Sequence, residues 1–364
     1  MLCTWLPSHW VDAASITASS IAEPQRSPLT AGHDVTDDLI QLRPEGLYCP
    51  AGDFHIDPWQ PVTRAVITHG HADHSRIGMG QYHCTRAGLP ILQWRLGAQD
   101  YHPHDYGDAF QIGGARVSLH SAGHVLGSAQ VRVEVDGEVW VASGDYKRQH
   151  DPTCAPFEVV RCDTFITEAT FGLPIYRWPH TPDVARDIVE WRDECAANGE
   201  AAVLFCYALG KSQRVLAELA AFTDQPVLVH GAIAAGVEVY RQSGITLLDT
   251  QLVAEQAKGA EFAGKLILAP PSAAGSAWMR RFRRAQTGFA SGWMRIRGNR
   301  RRRNYDRGFV VSDHADWPDL MRTIRETGAR RVIATHGNTD AIVRALNEDG
   351  IATEIFRTDF GGED

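Results

Sequence analysis

Four candidate metal ligands fall within six residues in the segment Thr68-His69-Gly70-His71-Ala72-Asp73-His74. The segment directly follows Ala65–Thr68, which reads as a strand. A packed core does not absorb four such side chains, because each brings polar atoms that burial leaves unsatisfied. A turn at a strand end splays alternate side chains toward one point. The chain therefore needs a fold in which a strand runs out at a shared polar centre. His69 and His71 are expected to serve one metal ion, and Asp73 with His74 a second. Imidazole and carboxylate are the donor types that take zinc, manganese or iron. The bland alternative is a histidine-rich surface loop.

Two further strand ends carry matching chemistry. His124 lies in Ser121-Ala122-Gly123-His124-Val125-Leu126-Gly127-Ser128, after the strand that ends at His120. Asp145 lies in Ser143-Gly144-Asp145-Tyr146, after strand Glu138–Ala142. A carboxylate beside a glycine at a strand end can bridge two cations and hold them close, the basis of two-metal hydrolysis. A lone strand-end His or turn Asp is usually structural; the first motif is what raises both.

The surrounding pattern has two halves. Up to Phe171 it is mostly short strands: Leu39–Leu42, Leu47–Cys49, Phe54–Ile56, Ala65–Thr68, Ala115–His120, Gln130–Val135, Glu138–Ala142 and Thr164–Thr167. Asp136-Gly137 marks a two-residue hairpin. After Phe171, helices (Pro182–Ala196, Ser212–Ala221, Ile233–Ser243) alternate with strands (Ala202–Cys206, Val227–Val229, Leu266–Leu268), which implies a parallel sheet covered by helices. Near Phe309–Ser312 the chain is expected to return to a strand. Helix Trp317–Thr327, strand Arg331–Thr335, helix Asp340–Asn347 and strand Thr353–Phe356 follow. Residues 1–36, rich in Ser, Thr, Ala and Pro, read as a loose extension.

Composition enters through charge and cysteine. The net charge is −8, yet Arg280–Arg307 holds eleven Arg, no Lys and one acid, Asp306. A basic strip on an acidic body is a directed feature. With Phe282, Phe289, Trp293 and Tyr305 interleaved, it suits single-stranded nucleic acid through phosphate pairing and base stacking. The bland reading is a solvated helix face at Arg280–Arg284 and a loop at Arg300–Arg303. Seven scattered cysteines without CxxC spacing argue against a disulfide framework and for a reducing, cytoplasmic setting. No long apolar run or basic signal-peptide start is present, so neither membrane nor export is expected.

These motifs, in this order and spacing, resemble the metallo-β-lactamase superfamily, whose signature is HxHxDH, then a separate His, then an Asp. Asp57 in Phe54-His55-Ile56-Asp57 matches that fold's early strand-end Asp, which orients the site; Asp53 is the nearby alternative. The α/β half matches the position of the β-CASP insertion of nucleic-acid-processing members. The resemblance implies an αββα sandwich with an inserted α/β β-CASP domain: residues 37–171, the insertion 172–308, and a return segment 309–364. It implies that Asp73 is catalytic as well as a ligand. It implies further that His336 in Thr335-His336-Gly337 completes the second metal's ligands. His314, in Ser312-Asp313-His314-Ala315-Asp316, would contact the scissile phosphate and protonate the leaving oxygen. Glu168, in Thr167-Glu168-Ala169-Thr170, would hold and polarise His314. Chemistry agrees: the departing alkoxide needs a proton, a neutral metal-bound His does not readily supply it, and a carboxylate keeps a separate His protonated.

The segments Gly46–Pro50, Phe54–Pro58 and Ala269–Ser272 bring the resemblance to the bacterial DNA-ligase-associated exonucleases. The expected function is therefore a metal-dependent phosphodiesterase, a DNA exonuclease in repair. It would use water activated by two divalent ions, zinc favoured over manganese, with a DNA ligase or helicase as partner. Substrate contacts are expected from Lys211 at a helix N-terminus, from Ser272 and Ser276, and from Arg280 and Arg281. The alternatives are an RNA-processing nuclease of the same branch, a small-molecule thioester or lactam hydrolase, and a nucleic-acid-binding protein with a dead site. The last would be expected to have lost ligands.

Overall fold

The hairpin signal shows how local chemistry sets this fold. Asp136 and Gly137 both adopt positive φ, 50° and 87°, the geometry a two-residue turn requires. They join strands whose register pairs Val135 with Glu138. The structure is a computed structural model that describes residues 38–179, 181–296, 298 and 304–360. The loose extension expected over residues 1–36 and the Arg300–Arg303 run lie outside the described residues. Asp38–Asp364 clusters as one unit.

Strands β1 (Gln41–Arg43), β2 (Gly46–Cys49), β3 (Phe54–Ile56), β4 (Arg64–Val66), β5 (Gln81–Thr85) and β6 (Tyr101–His104) form one sheet in sequence order. Strands β7 (Ala109–Ile112), β8 (Ala115–Ser121), β9 (Ala129–Val135), β10 (Glu138–Ala142), β11 (Thr164–Ala169), β18 (Arg331–Gly337) and β19 (Ala352–Ile355) form a second, ordered β19-β18-β11-β10-β9-β8-β7. Alternation along each strand decides which face is buried where. Val66, Leu47 and Phe54 pack on Val131, Trp140 and Ile166 of the second sheet. Ala65, Ile67 and Tyr82 face the opposite way, onto Leu92 and Leu96 of helix α1 (Leu89–Leu96). Val141, Phe165 and Val332 face helices α5 (Trp317–Thr327) and α6 (Thr339–Glu348), through Leu320, Ile324, Ile342 and Leu346. The layers thus run helix, sheet, sheet, helix.

A third sheet, ordered β14-β13-β15-β12-β16-β17, takes β12 (Ala201–Phe205), β13 (Val227–Val229), β14 (Thr250–Leu252), β15 (Leu266–Ala269), β16 (Ala285–Ala290) and β17 (Arg307–Phe309). Every pairing in it is parallel. One face packs on α2 (Thr181–Ala197), α3 (Lys211–Leu219) and α4 (Gly231–Gln242) through Trp191, Val215 and Ile233. Phe205, Phe262 and Phe289 fill the other. One expectation needs correcting. The strand near Phe309 belongs to this third sheet, because β17 pairs with β16. The Ser312–Asp316 motif therefore sits on the loop that leaves it. β5, α1, β6, β7, β14 and β16 carry no clear period and are found only in the structure.

Candidate metal centre

The site lies at the strand ends of the first two sheets. The loop after β4 carries His69, His71 and His74, the loop after β8 carries His124, the loop after β10 carries Asp145, and His336 lies near the end of β18. Gly144 has φ 56°, and a Cβ there would come within 2.7 Å of Thr68. Only glycine lets the Asp145 loop close down on the histidine loop.

Hydrogen bonds fix each ring. His124 Nδ1 lies 2.8 Å from the Asp313 carbonyl oxygen, and His71 Nε2 lies 3.3 Å from that of Leu209. A carbonyl only accepts, so these nitrogens carry the protons and His124 Nε2 and His71 Nδ1 keep lone pairs. Thr68 Oγ donates to Asp57 and accepts from His69 Nδ1 at 3.0 Å, which leaves a lone pair on His69 Nε2. His74 Nδ1 donates to Asp57 at 2.8 Å. Thr335 Oγ donates to the Thr167 carbonyl at 3.2 Å and accepts from His336 Nδ1 at 3.1 Å. His74 and His336 thus both keep Nε2 free.

These lone pairs converge. His71 Nδ1 is 3.1 Å from both His69 Nε2 and His124 Nε2. Tetrahedral zinc with ordinary Zn–N bonds spaces its ligands roughly 3.3 Å apart. Asp145 lies between two groups. Its Oδ2 is 3.5 Å from His69 Nε2 and 3.8 Å from His124 Nε2, whereas Oδ1 is 3.5 Å from His74 Nε2 and 3.2 Å from His336 Nε2. Buried His74 Nε2, Asp145 Oδ1 and His336 Nε2 have no hydrogen-bond partner among the described residues. In the first group, lone pairs facing one another across a buried gap repel, and a cation relieves them; the imidazole and carboxylate donors of both groups fit divalent metal.

Electrostatics point the same way. Burial, with the charge of His74, holds His69 well below the usual imidazole range; burial, with His314, does the same to His124. Burial also lowers His71. Three imidazoles are thus kept neutral, the form that binds metal. At His74 burial opposes charge, but Asp145 and Asp57 prevail and lift it to about 10. Without metal, a proton occupies the second group.

The sequence relationships agree with this geometry. Over 310 residues, 84% of this chain, it is 32% identical to a probable DNA ligase from Opitutus terrae, of which the match covers 30%. It is 24% identical to an RNase J-like protein from Methanocaldococcus jannaschii, across 49% of this chain and 50% of that protein. Over 31% of this chain and 14% of the relative, it is 31% identical to the endoribonuclease YSH1 of Gibberella zeae. The chain spans half or less of the length of each. The chain belongs to the β-CASP branch of the metallo-β-lactamase superfamily. A solved structure of a protein of unknown function from Enterococcus faecalis V583 has TM-score 0.54 at 11% identity, over 82% of this chain and 80% of its own, and shows a shared fold alone. No protein-family model matches.

Other candidate residues of this β-CASP chain fall in different places. His314 Nδ1 lies 2.8 Å from Glu168 Oε2, while Glu168 Oε1 accepts the Tyr146 N–H at 2.7 Å. Asp145, Glu168 and His314 lie together, their ligand atoms within 4.8 Å. The register of β11 on β18 shifts between Thr167 and Ala169; this bulge re-aims Glu168 and His336 toward the centre. Asp57 is buried, with φ 43°, and bonds Thr68 and His74, while Asp53 is exposed. Asp73 flanks the second group, its Oδ2 3.7 Å from His74 Nε2 with the side chain 28% exposed, outside the tight donor sets.

Lys211 departs from expectation. It is fully buried, with Nζ 3.5 Å from Asp313 Oδ2, and does not face a ligand arriving from solvent. Ser276 caps a short 3-10 turn, accepting from Trp278 N at 3.2 Å. Ser272 is exposed beyond the end of β15, the end of the third sheet that carries the Leu209 loop. Arg280 and Arg281 close the 3-10 turn whose Trp278 packs on His230 after β13, and only Arg284, bonded to the Asn198 carbonyl ahead of β12, marks the opposite end. Phe360, which the sequence does not flag, stacks on the His74 ring at 4.3 Å and 13°.

Proposed function

We propose that this chain is a metal-dependent nuclease that removes nucleotides from an end of DNA during repair, beside a DNA ligase. One observation carries the chemistry: Asp145 is shared between two imidazole groups, with the His314–Glu168 pair at its side. In this reading the helix–sheet–sheet–helix layers are the metallo-β-lactamase αββα sandwich. The third sheet is its inserted β-CASP domain, from about Gly172 and extended through β17 to Phe309.

His69, His71 and His124 would hold one divalent ion and His74 and His336 the other, with Asp145 between them; zinc suits this donor set, and manganese is accommodated. Bound there, the pair supplies an activated water and neutralises phosphate charge. The protein does the rest. Asp57 and Thr68 set the rings of His74 and His69. Asp73, at the solvent side of His74, is placed to accept a proton from the incoming water. Glu168 accepts from His314 Nδ1 and orients the ring, which would give a proton to the departing oxygen. The free thiols of the described cysteines suit a reducing cytoplasm, and no described helix is long and apolar enough to cross a membrane.

The relative named a probable DNA ligase supports the DNA reading. Those named RNase J-like protein and endoribonuclease YSH1 support a second one, RNA processing with the same centre. Matched end-labelled single-stranded DNA and RNA, offered to chelated protein with zinc or manganese restored, separate them. Stepwise DNA shortening that vanishes in Asp145→Ala is expected. RNA cleavage with inert DNA would leave the metal roles and remove the repair role.

A further inference from the structure

Two of the ring partners in the metal centre are main-chain carbonyls from outside the first two sheets. Leu209, whose oxygen takes the His71 proton, lies on the loop after β12; Asp313, whose oxygen takes that of His124, lies on the loop after β17. Neither carbonyl has chemistry of its own to keep it in place. Both are held by the first turn of α3.

Lys211, Ser212, Gln213 and Arg214 follow one another in that turn, and none is more than 1% exposed. Four consecutive buried polar side chains are costly unless each is satisfied. Gln213 Oε1 accepts the Gly210 N–H at 2.8 Å and its Nε2 donates to the Ala208 carbonyl at 3.0 Å. Together they clamp the residues on both sides of Leu209. Ser212 Oγ donates to the Tyr207 carbonyl at 2.5 Å. Arg214 donates to the Ser312 carbonyl and lies 3.6 Å from both Asp313 and Asp151. Lys211 takes the other Asp313 oxygen at 3.5 Å. Gly210, at φ 85°, lets the loop touch the metal loops: a Cβ there would come within 2.5 Å of Val125 and 3.7 Å of His71 Nε2.

We propose that Gln213 and Arg214 are positioning residues for the three-imidazole group, selecting the tautomers of His71 and His124 through the carbonyls they hold. The third sheet then governs retention of the first ion as well as any contact with substrate. This rests on the reading that the two donor groups hold metal. His74 and His336 take their partners from Asp57 and Thr335, so the second ion is independent of the α3 turn.

The test is a zinc titration of the full chain in a chelator buffer, without substrate. Wild type is expected to bind two ions. Gln213→Met keeps the side-chain length but loses both clamping bonds, and should weaken one ion by about 10–100-fold and spare the other. Asp57→Asn should weaken the other ion. Arg214→Lys, which keeps the charge beside Asp313, should weaken the same ion as Gln213→Met but by less; it serves as the reporter if Gln213→Met does not fold. Thermal unfolding of the metal-free proteins reports fold separately. Two ions bound equally well by wild type, Gln213→Met and Arg214→Lys, whatever their unfolding temperatures, would overturn this inference and leave the nuclease reading intact. A wild type that binds no zinc would overturn both.

Discussion

The two donor groups meet at Asp145 but are oriented by different parts of the molecule. His74 and His336 lean on Asp57 and Thr335, side chains at the ends of strands in the first two sheets. His71 and His124 lean on carbonyls presented from the third-sheet side, held by a buried turn of α3. Their charge states differ too. Burial keeps the three imidazoles of the first group neutral, while the carboxylates around His74 overcome burial and hold a proton on the second. One group presents lone pairs ready for a cation, and the other must exchange a proton for one. Sharing a carboxylate does not make the two groups equivalent.

Removing the bridge should have the largest effect. Asp145→Ala takes a carboxylate oxygen from each group, and cleavage is expected to fall by more than about 1,000-fold with loss of bound zinc. A mutant that keeps both ions and its activity would end the comparison. Next comes His314→Ala, expected to retain both ions while slowing cleavage by about 100- to 10,000-fold; zinc missing from that variant would make His314 a ligand.

Asp57→Asn sharpens the contrast between the groups. Asn tolerates the positive φ found at this position, so the fold should survive; the second ion, whose His74 bonds Asp57 directly, should weaken by about 10–100-fold and the first, reached only through Thr68 and His69, by less. The pH dependence should differ as well. His74 is protonated up to about 10 in the metal-free protein. Metal must displace that proton, so second-ion affinity should rise about tenfold per pH unit between pH 7 and 9. The first group, with imidazoles already neutral, should show almost no slope there. Calorimetric zinc titration in buffers of different ionisation enthalpy counts the protons released; equal release at both positions would erase the distinction. The smallest effect belongs to Arg283 and Arg284, at the far end of the third sheet. Changing them to Gln should leave cleavage of short oligonucleotides unaltered. It should lower the salt dependence of binding to long strands by about one unit for each phosphate that no longer has an Arg partner.

The clustering of the first group is legible because His69 and His71 sit in one short motif and His124 in another at a strand end. The carboxylate between the groups is legible because Asp145 stands beside Gly144 at a similar strand end. Asp53 and Asp57 cannot be separated in the sequence, since their four-residue offset says nothing about which one turns inward. Lys211 reads as a phosphate contact because a lysine after Gly210 at a helix start is usually solvated. That Asp313, one hundred residues on, comes to lie against it is a tertiary fact with no local trace. The Arg280–Arg284 run is visible as charge, but its distance from the centre depends on the direction of parallel strands. β5 and β6 leave no sequence signal because His83, His102, Pro103 and His104 interrupt any apolar period, and α1 and β7, at eight and four residues, are too short to show one. The strand near Phe309 is visible in the sequence but its sheet is not, as periodicity does not name a strand's neighbour.

The most direct measurement is the zinc content of chelated and reloaded protein, wild type beside Asp145→Ala, by elemental analysis after gel filtration. Two ions per chain in wild type, with most of that zinc gone in Asp145→Ala, is the result the shared-carboxylate centre requires. No zinc in wild type, or two ions retained without Asp145, would contradict it.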